Sequence, residues 1–142
     1  MTTDTSERGL ERRICTALAG HPCDLVKEGT VGEQPSGYGG VGWISGNPHD
    51  YDREYCVDLV QLAAFLHTTQ PVAAESLALG EDGPTRRKFL ARIQGEISKR
   101  GTIDVLRHGI KHGAHDLDLF YGSPSPGNDK ARTLFHQNRF TI

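Results

Sequence analysis

Three histidines and two aspartates crowd into one short interval: His108, His112, His115, Asp116 and Asp118. Imidazole and carboxylate are the side chains that hold zinc, and two histidines four apart on a helix share a face. The set is a candidate centre for a small metal hydrolase. Gly109 and Gly113 fall inside the same interval and argue against a continuous helix. His108-x-x-x-His112 also lacks the glutamate of a metalloprotease H-E-x-x-H. The competing reading is a turn that feeds a strand from Leu117 to Tyr121, where Leu117 and Leu119 alternate with Asp116 and Asp118. On that reading no residue here is a metal ligand.

The second candidate chemistry is anion binding. Residues 84–111 hold eight Lys+Arg against two Asp+Glu, a local charge of +6. Residues 1–83 hold five against thirteen, a local charge of −8, and residues 112–142 balance at three and three. The net charge of −2 excludes a domain that coats nucleic acid over its whole surface, yet half of the cations lie in one segment. Arg86, Arg87, Lys88, Arg92, Lys99, Arg100, Arg107 and Lys111 are therefore the candidate DNA- or partner-binding residues. The same patch could instead dock on the acidic first part of its own chain. Arg86 to Lys88 fall in a first helical turn, where the helix dipole disfavours cations by a few tenths of a kcal/mol. That placement favours an anionic partner.

A third motif carries little. Gly37-Tyr38-Gly39-Gly40-Val41-Gly42 matches G-x-G-x-x-G, but no strand precedes it and no helix follows. It reads as a glycine loop anchored by Tyr38 and Trp43. No G-x-x-x-x-G-K-[ST] phosphate loop occurs in the sequence.

Helices must position these groups. A first helix is expected from near Asp4, with Glu7 at capping-box spacing and Leu10, Ile14, Ala17 and Leu18 as its apolar stripe. Glu7 falls inside that stripe and Glu11 on its border, so each needs a cation, solvent or a metal. Gly20 to Asp52 is loop-like. A second helix is expected over Arg53–His67, capped by Asp50 or Asp52, and a third from Pro71 to Leu79, stopped by Gly80. The fourth opens at Gly83-Pro84-Thr85 and runs to Arg100 on a stripe of Phe89, Leu90, Ile93 and Ile97. Thr102 is expected to cap a short fifth helix. Asn128 is expected to cap a last one through Lys130, Ala131, Leu134 and Phe135, before a strand at residues 138–142. The fold class is mainly α with a small β component (α+β), in a single domain spanning residues 1–142.

Several of these words, in order, resemble the N-terminal region of the R subunit of type I restriction-modification enzymes, the subunit that cuts and translocates DNA. The words are Ser6-Glu7 with Leu10-Glu11, the run from Tyr55 through Phe65 to Thr69-Gln70-Pro71, Arg100-Gly101-Thr102-Ile103-Asp104-Val105-Leu106-Arg107-His108-Gly109, and Asn138-Arg139-Phe140. The resemblance implies helices flanking an incomplete PD-(D/E)xK nuclease sheet, with Glu7 and Glu11 as candidate accessory acids. It implies Mg²⁺ and ATP as cofactors of the full-length family, and DNA plus the methyltransferase and specificity subunits as partners. The family's Asp and its Glu-x-Lys pair are absent, so this piece is expected to be an N-terminal domain or fragment that is inactive alone.

No apolar run approaches the roughly 18 residues of a membrane span, and no signal peptide is visible, so a cytoplasmic protein is expected. Cys15, Cys23 and Cys56 form no C-x-x-C pair and are expected as free thiols.

Overall fold

The computed structural model describes residues 6–20, 22 and 43–142. Asp4, Cys23 and the Gly37–Gly42 loop lie outside the described residues. Of those described, 54% are helical, and the rest include two small antiparallel two-stranded sheets. The chain forms two compact units, one from residues 1–51 with 139–142 and the other from residues 52–138.

In the first unit, helix α1 spans Glu7–Ala19. Ser6 caps it, its hydroxyl accepting from the Gly9 amide at 3.1 Å, which is the arrangement that satisfies an orphan N–H of a first turn. The expected stripe is not the buried one. Leu10 is 58% exposed and Ile14 44%, while Gly9, Cys15 and Ala19 are buried. The helix turns its small residues inward, where a close approach is available to them. Cys15 is disulfide-bonded and not the free thiol expected, its partner lying outside the described residues. Residues 43–46 pair in parallel with residues 140–142. Ile44 N–H donates to the Phe140 carbonyl (2.7 Å), Ile142 N–H to Ile44 (3.0 Å) and Gly46 N–H to Ile142 (3.0 Å). Trp43 and Phe140 stack beside this pairing with centroids 5.3 Å apart. The strand expected at residues 138–142 is not formed, and an isolated bridge at Thr141 stands in its place.

The chain continues through β1 (Tyr51–Asp52), and in the second unit β2 (Val57–Asp58) is followed by α2 (Leu59–Thr69). The expected helix start at Arg53 is wrong because Asp52 closes a turn. Its carboxylate accepts from the Glu54 and Tyr55 amides at 2.9 and 3.1 Å. Asp58, with the same side chain, caps the true start by accepting from Gln61 N–H. Helix α3 (Pro71–Leu77) stops two residues short of expectation, at Ala78 in the left-handed region (φ +48°). Helix α4 runs Pro84–Arg100 as expected. Helix α5 (Thr102–His108) takes Thr102 as its first residue, and Gly101 occupies the cap position with no side-chain bond.

Strands β3 (Ile110–His112) and β4 (His115–Leu117) then form a hairpin around Gly113-Ala114, with Ile110 opposite Leu117 and Lys111 opposite Asp116. Gly113, at φ +60°, occupies the first turn position, where a type II′ turn takes glycine. The expected strand from Leu117 to Tyr121 is thus replaced by one ending at Leu117. Beyond it the backbone is held by side-chain amides. Gln70 Nε2 donates to the Asp118 carbonyl (2.8 Å), and its Oε1 accepts from the Asp118 amide (3.0 Å). Asn138 does the same for Tyr121, at 2.7 and 2.9 Å. The unit closes with α6 (Asp129–His136), capped by Asn128 as expected.

One core serves this unit. Phe65, Leu66, Leu77, Phe89, Leu90, Val105, Ile110 and Leu117 are buried together. Ile110 and Leu117 lie opposite each other, so both reach the same face of the hairpin. Ile93 and Ile97 of α4 are half-buried against this cluster, as their spacing requires.

Candidate basic face and recess

Helix α4 carries the site. Lys88, Arg92 and Lys99 recur at spacings that return to one helical face, with Gly95 between them. All three are exposed. Among the described residues, Lys88 and Lys99 make no salt bridge. Arg92 bridges two elements, its Nε donating to the Lys111 carbonyl of β3 (3.2 Å) and its Nη2 meeting Glu96 at 3.3 Å. Beside this row lies a recess of about 540 Å³. Arg92, Glu96, Lys99 and Arg100 form its α4 wall, and Lys111 and Asp116 its hairpin wall.

The recess is built on a ladder of charges one helical turn apart. Arg92–Glu96, Glu96–Arg100 (3.0 Å), Arg100–Asp104 (2.6 Å) and Asp104–His108 (3.0 Å) succeed each other across the α4–α5 break. Arg100 Nη1 also donates to the Gly109 carbonyl (3.1 Å), tying the end of α4 to the start of the hairpin. The planar guanidinium can hold three acceptors at once, which lysine cannot do in fixed geometry. Hydrogen bonding from Arg100, ahead of any other influence, pulls the Glu96 and Asp104 carboxyls below their ordinary range. Glu96 is only 12% exposed, so two arginines compete for one largely sheltered anion.

The other candidate residues are placed as follows. Arg86 and Arg87, in the first turn of α4, both turn to Asp82, at 2.9 and 3.1 Å. The dipole penalty expected for them is thus offset by an acid of their own chain. Arg100 is locked as described. Lys111 meets Asp116 at 3.6 Å across the hairpin. Arg107 is exposed on α5, without a salt bridge among the described residues, and does not line the recess. Glu7 and Glu11 are exposed on α1, in the other unit. Sequence reasoning counted the cations and missed their partners. The signal was present, because the two acids of residues 84–111, Glu96 and Asp104, each stand four residues from an arginine.

The histidine–aspartate set is dispersed. His108 Nδ1 faces Asp104, His112 packs edge-on against Phe89 with centroids 5.4 Å apart, and Asp116 faces Lys111. Among the described residues, no group of three or more His, Cys, Asp or Glu side chains is placed to hold a metal ion. No helix among them is long and apolar enough to cross a membrane.

His112 is held below its ordinary pKa, first by desolvation against the core and then by Lys88, Arg92 and His115. A folded-state pKa below the unfolded one favours the neutral ring in the fold. The resulting stability is complete above the unfolded value of about 6.5 and declines as pH falls through it. Thermal melts are expected to drop between pH 7.5 and pH 5, and His112→Gln is expected to reduce that drop. The lowered carboxyls of Asp82, Glu96 and Asp104 do not confuse the test, since they lose their contribution only below about pH 4.5. An equal drop in the variant would remove His112 as its cause.

Comparison with known protein families, with curated proteins and with solved structures finds no match to this chain.

Proposed function

We propose that the chain acts in DNA restriction as an N-terminal part of a type I R subunit, its second unit presenting a docking surface to DNA within the larger complex. The observation that carries the DNA contact is the α4 face. Lys88 and Lys99 stand exposed without salt-bridge partners among the described residues, in register with Arg92, while neighbouring cations are matched by acids one turn away. Three exposed cations on one helical face, two of them without a salt bridge among the described residues, make a positive surface of the kind that attracts phosphate.

The ordered words behind the resemblance give separate support. Arg100, Asp104 and Gly109, from one word, are hydrogen-bonded to one another through Arg100. Asn138, from another, clamps the Tyr121 backbone. These residues are joints of this fold. Within these 142 residues there is no Asp followed by an Asp/Glu-x-Lys pair and no phosphate loop, so the role proposed is docking and not cleavage or ATP hydrolysis. The methyltransferase part of the complex is the second partner on this reading, with Mg²⁺ and ATP acting elsewhere in the assembly.

The purified chain is expected to leave supercoiled plasmid intact in Mg²⁺ and ATP, and to bind short duplex DNA with an affinity that falls steeply with salt. It is also expected to bind a purified type I methyltransferase–specificity complex. Plasmid nicking lost on Glu7→Ala or Glu11→Ala would assign catalysis to this chain and overturn the docking role. Failure to bind both DNA and the methyltransferase complex would overturn the family reading itself.

A further inference from the structure

The recess beside α4 is lined by cations that are only partly spoken for, and one of its anions is sheltered. Arg92 spends a single N–H group on Glu96, at 3.3 Å, and remains 49% exposed. Glu96 already has a closer partner in Arg100, at 3.0 Å. Lys99, on the same rim, has no salt bridge among the described residues. Gly95, between Arg92 and Lys99 on the exposed face, leaves open space, because an added Cβ would meet nothing within 4 Å. A tetrahedral anion approaching this rim meets Arg92 and Lys99 with the Glu96 carboxylate between them, while Asp116 and Asp118 line the far side of the recess.

We propose that this rim is a phosphodiester-binding site in which Arg92 exchanges Glu96 for a backbone phosphate of nucleic acid, with Lys99 as the second cation. Glu96 is the resident counter-ion. It keeps Arg92 oriented while the site is empty, and Arg100 together with Asp104 keeps the wall in place when Arg92 leaves. Lys88, one turn away on the same face, extends the contact along the strand. The exchange is geometrically modest, since Arg92 stays anchored through its Nε bond to the Lys111 carbonyl and only its Nη2 changes partner. The exchange costs little for a guanidinium that is half in water, because an exposed ion pair of this kind contributes little to stability. This inference rests on the DNA reading of the surface and adds an internal competitor to it.

The competitor gives the test its sign. Short duplex DNA is titrated into the full chain over a range of salt concentrations, and the slope of log affinity against log salt is compared between variants. Each phosphate contact contributes a slope of about −0.9 for B-DNA. Lys99→Ala is expected to make the slope shallower by about one contact. Glu96→Gln is expected to make it steeper by about one contact and to tighten binding roughly tenfold at low salt. Glu75→Gln on α3 changes the net charge equally, lies outside the recess, and is expected to leave the slope unchanged. If Glu96→Gln behaves like Glu75→Gln, the exchange is overturned while the DNA reading stands. If the parent chain shows no salt-dependent DNA binding, the DNA reading of the face falls with it. Should Glu96→Gln fail to fold by circular dichroism, Lys99→Ala decides alone, and an unchanged slope in that variant overturns the site.

Discussion

Gly109→Ala is expected to lower the melting temperature of the second unit by on the order of 15–25 °C. Two independent costs combine at this position. Gly109 sits at φ +65°, ψ −166°, a region essentially closed to residues with a side chain, where the strain is of order 1–3 kcal/mol. A Cβ there would also collide with the Leu117 carbonyl, which is backbone of the facing strand and cannot rotate away. Relief requires β4 to move off β3, and overpacking of this kind adds about 1–3 kcal/mol. For a unit of this size each kcal/mol is worth about 4–8 °C. Gly101→Ala separates the two costs. Gly101 occupies a related conformation, φ +86° and ψ 153°, but its Cβ would meet open space. It is expected to show the conformational strain alone, about 1–3 kcal/mol. Melts followed by far-UV circular dichroism make the comparison. Equal losses in the two variants would remove the collision, and a Gly109→Ala melt within about 2 °C of the parent would refute the geometry of the hairpin entrance.

Phe89→Ala is expected to cost about 3–5 kcal/mol, enough to unfold a marginal domain outright at 37 °C. Phe89 is fully buried at 0% exposure and belongs to the cluster that α2, α3, α4, α5 and the hairpin share. Its ring is also the wall against which His112 packs. Truncation therefore has a second signature. With the wall gone the His112 ring gains water, its pKa returns toward the ordinary value, and the acid sensitivity of the melt shrinks. Phe89→Leu keeps most of the volume and is expected to cost far less, about 1 kcal/mol. A Phe89→Ala protein that melts like the parent would mean that this core is not the one that holds the unit together.

The legible parts of this chain were those where one local signal had no rival. Pro84 after Gly83 and glycine after Arg100 bracket α4, and nothing nearby offers a second frame. Asn128 follows the Pro126-Gly127 turn and caps α6. Where two residues of the same chemistry compete, sequence alone does not choose. Asp52 and Asp58 are equally able to cap, and the structure gives one a turn and the other a helix. The strand at Leu117–Tyr121 was misplaced for a related reason. Its alternation continues past Leu117, but the ladder does not, because Gln70 from forty-eight positions earlier occupies the Asp118 backbone. No window of the sequence contains that contact. The site was legible as a cluster of cations and illegible as a pattern of partners. Asp82 and Glu96 decide which cations are free, and reading them requires helical spacing to be applied to the acids as well as the bases.

The parallel pairing joins Ile44, about a third of the way along the sequence, to Thr141. The second unit is therefore an insertion within the first, entering at residue 52 and leaving at residue 138. Most of the second unit's contacts are between helices adjacent in the chain, which close cheaply and early. The first unit must wait. Its pairing joins residues 44 and 141, about two-thirds of the chain apart, and the entropy lost in that closure is smaller once the intervening residues have already collapsed. This topology predicts that the body bearing the cationic face matures before the pairing that brings residues 43–46 and 140–142 together, an order that pulsed hydrogen exchange checks.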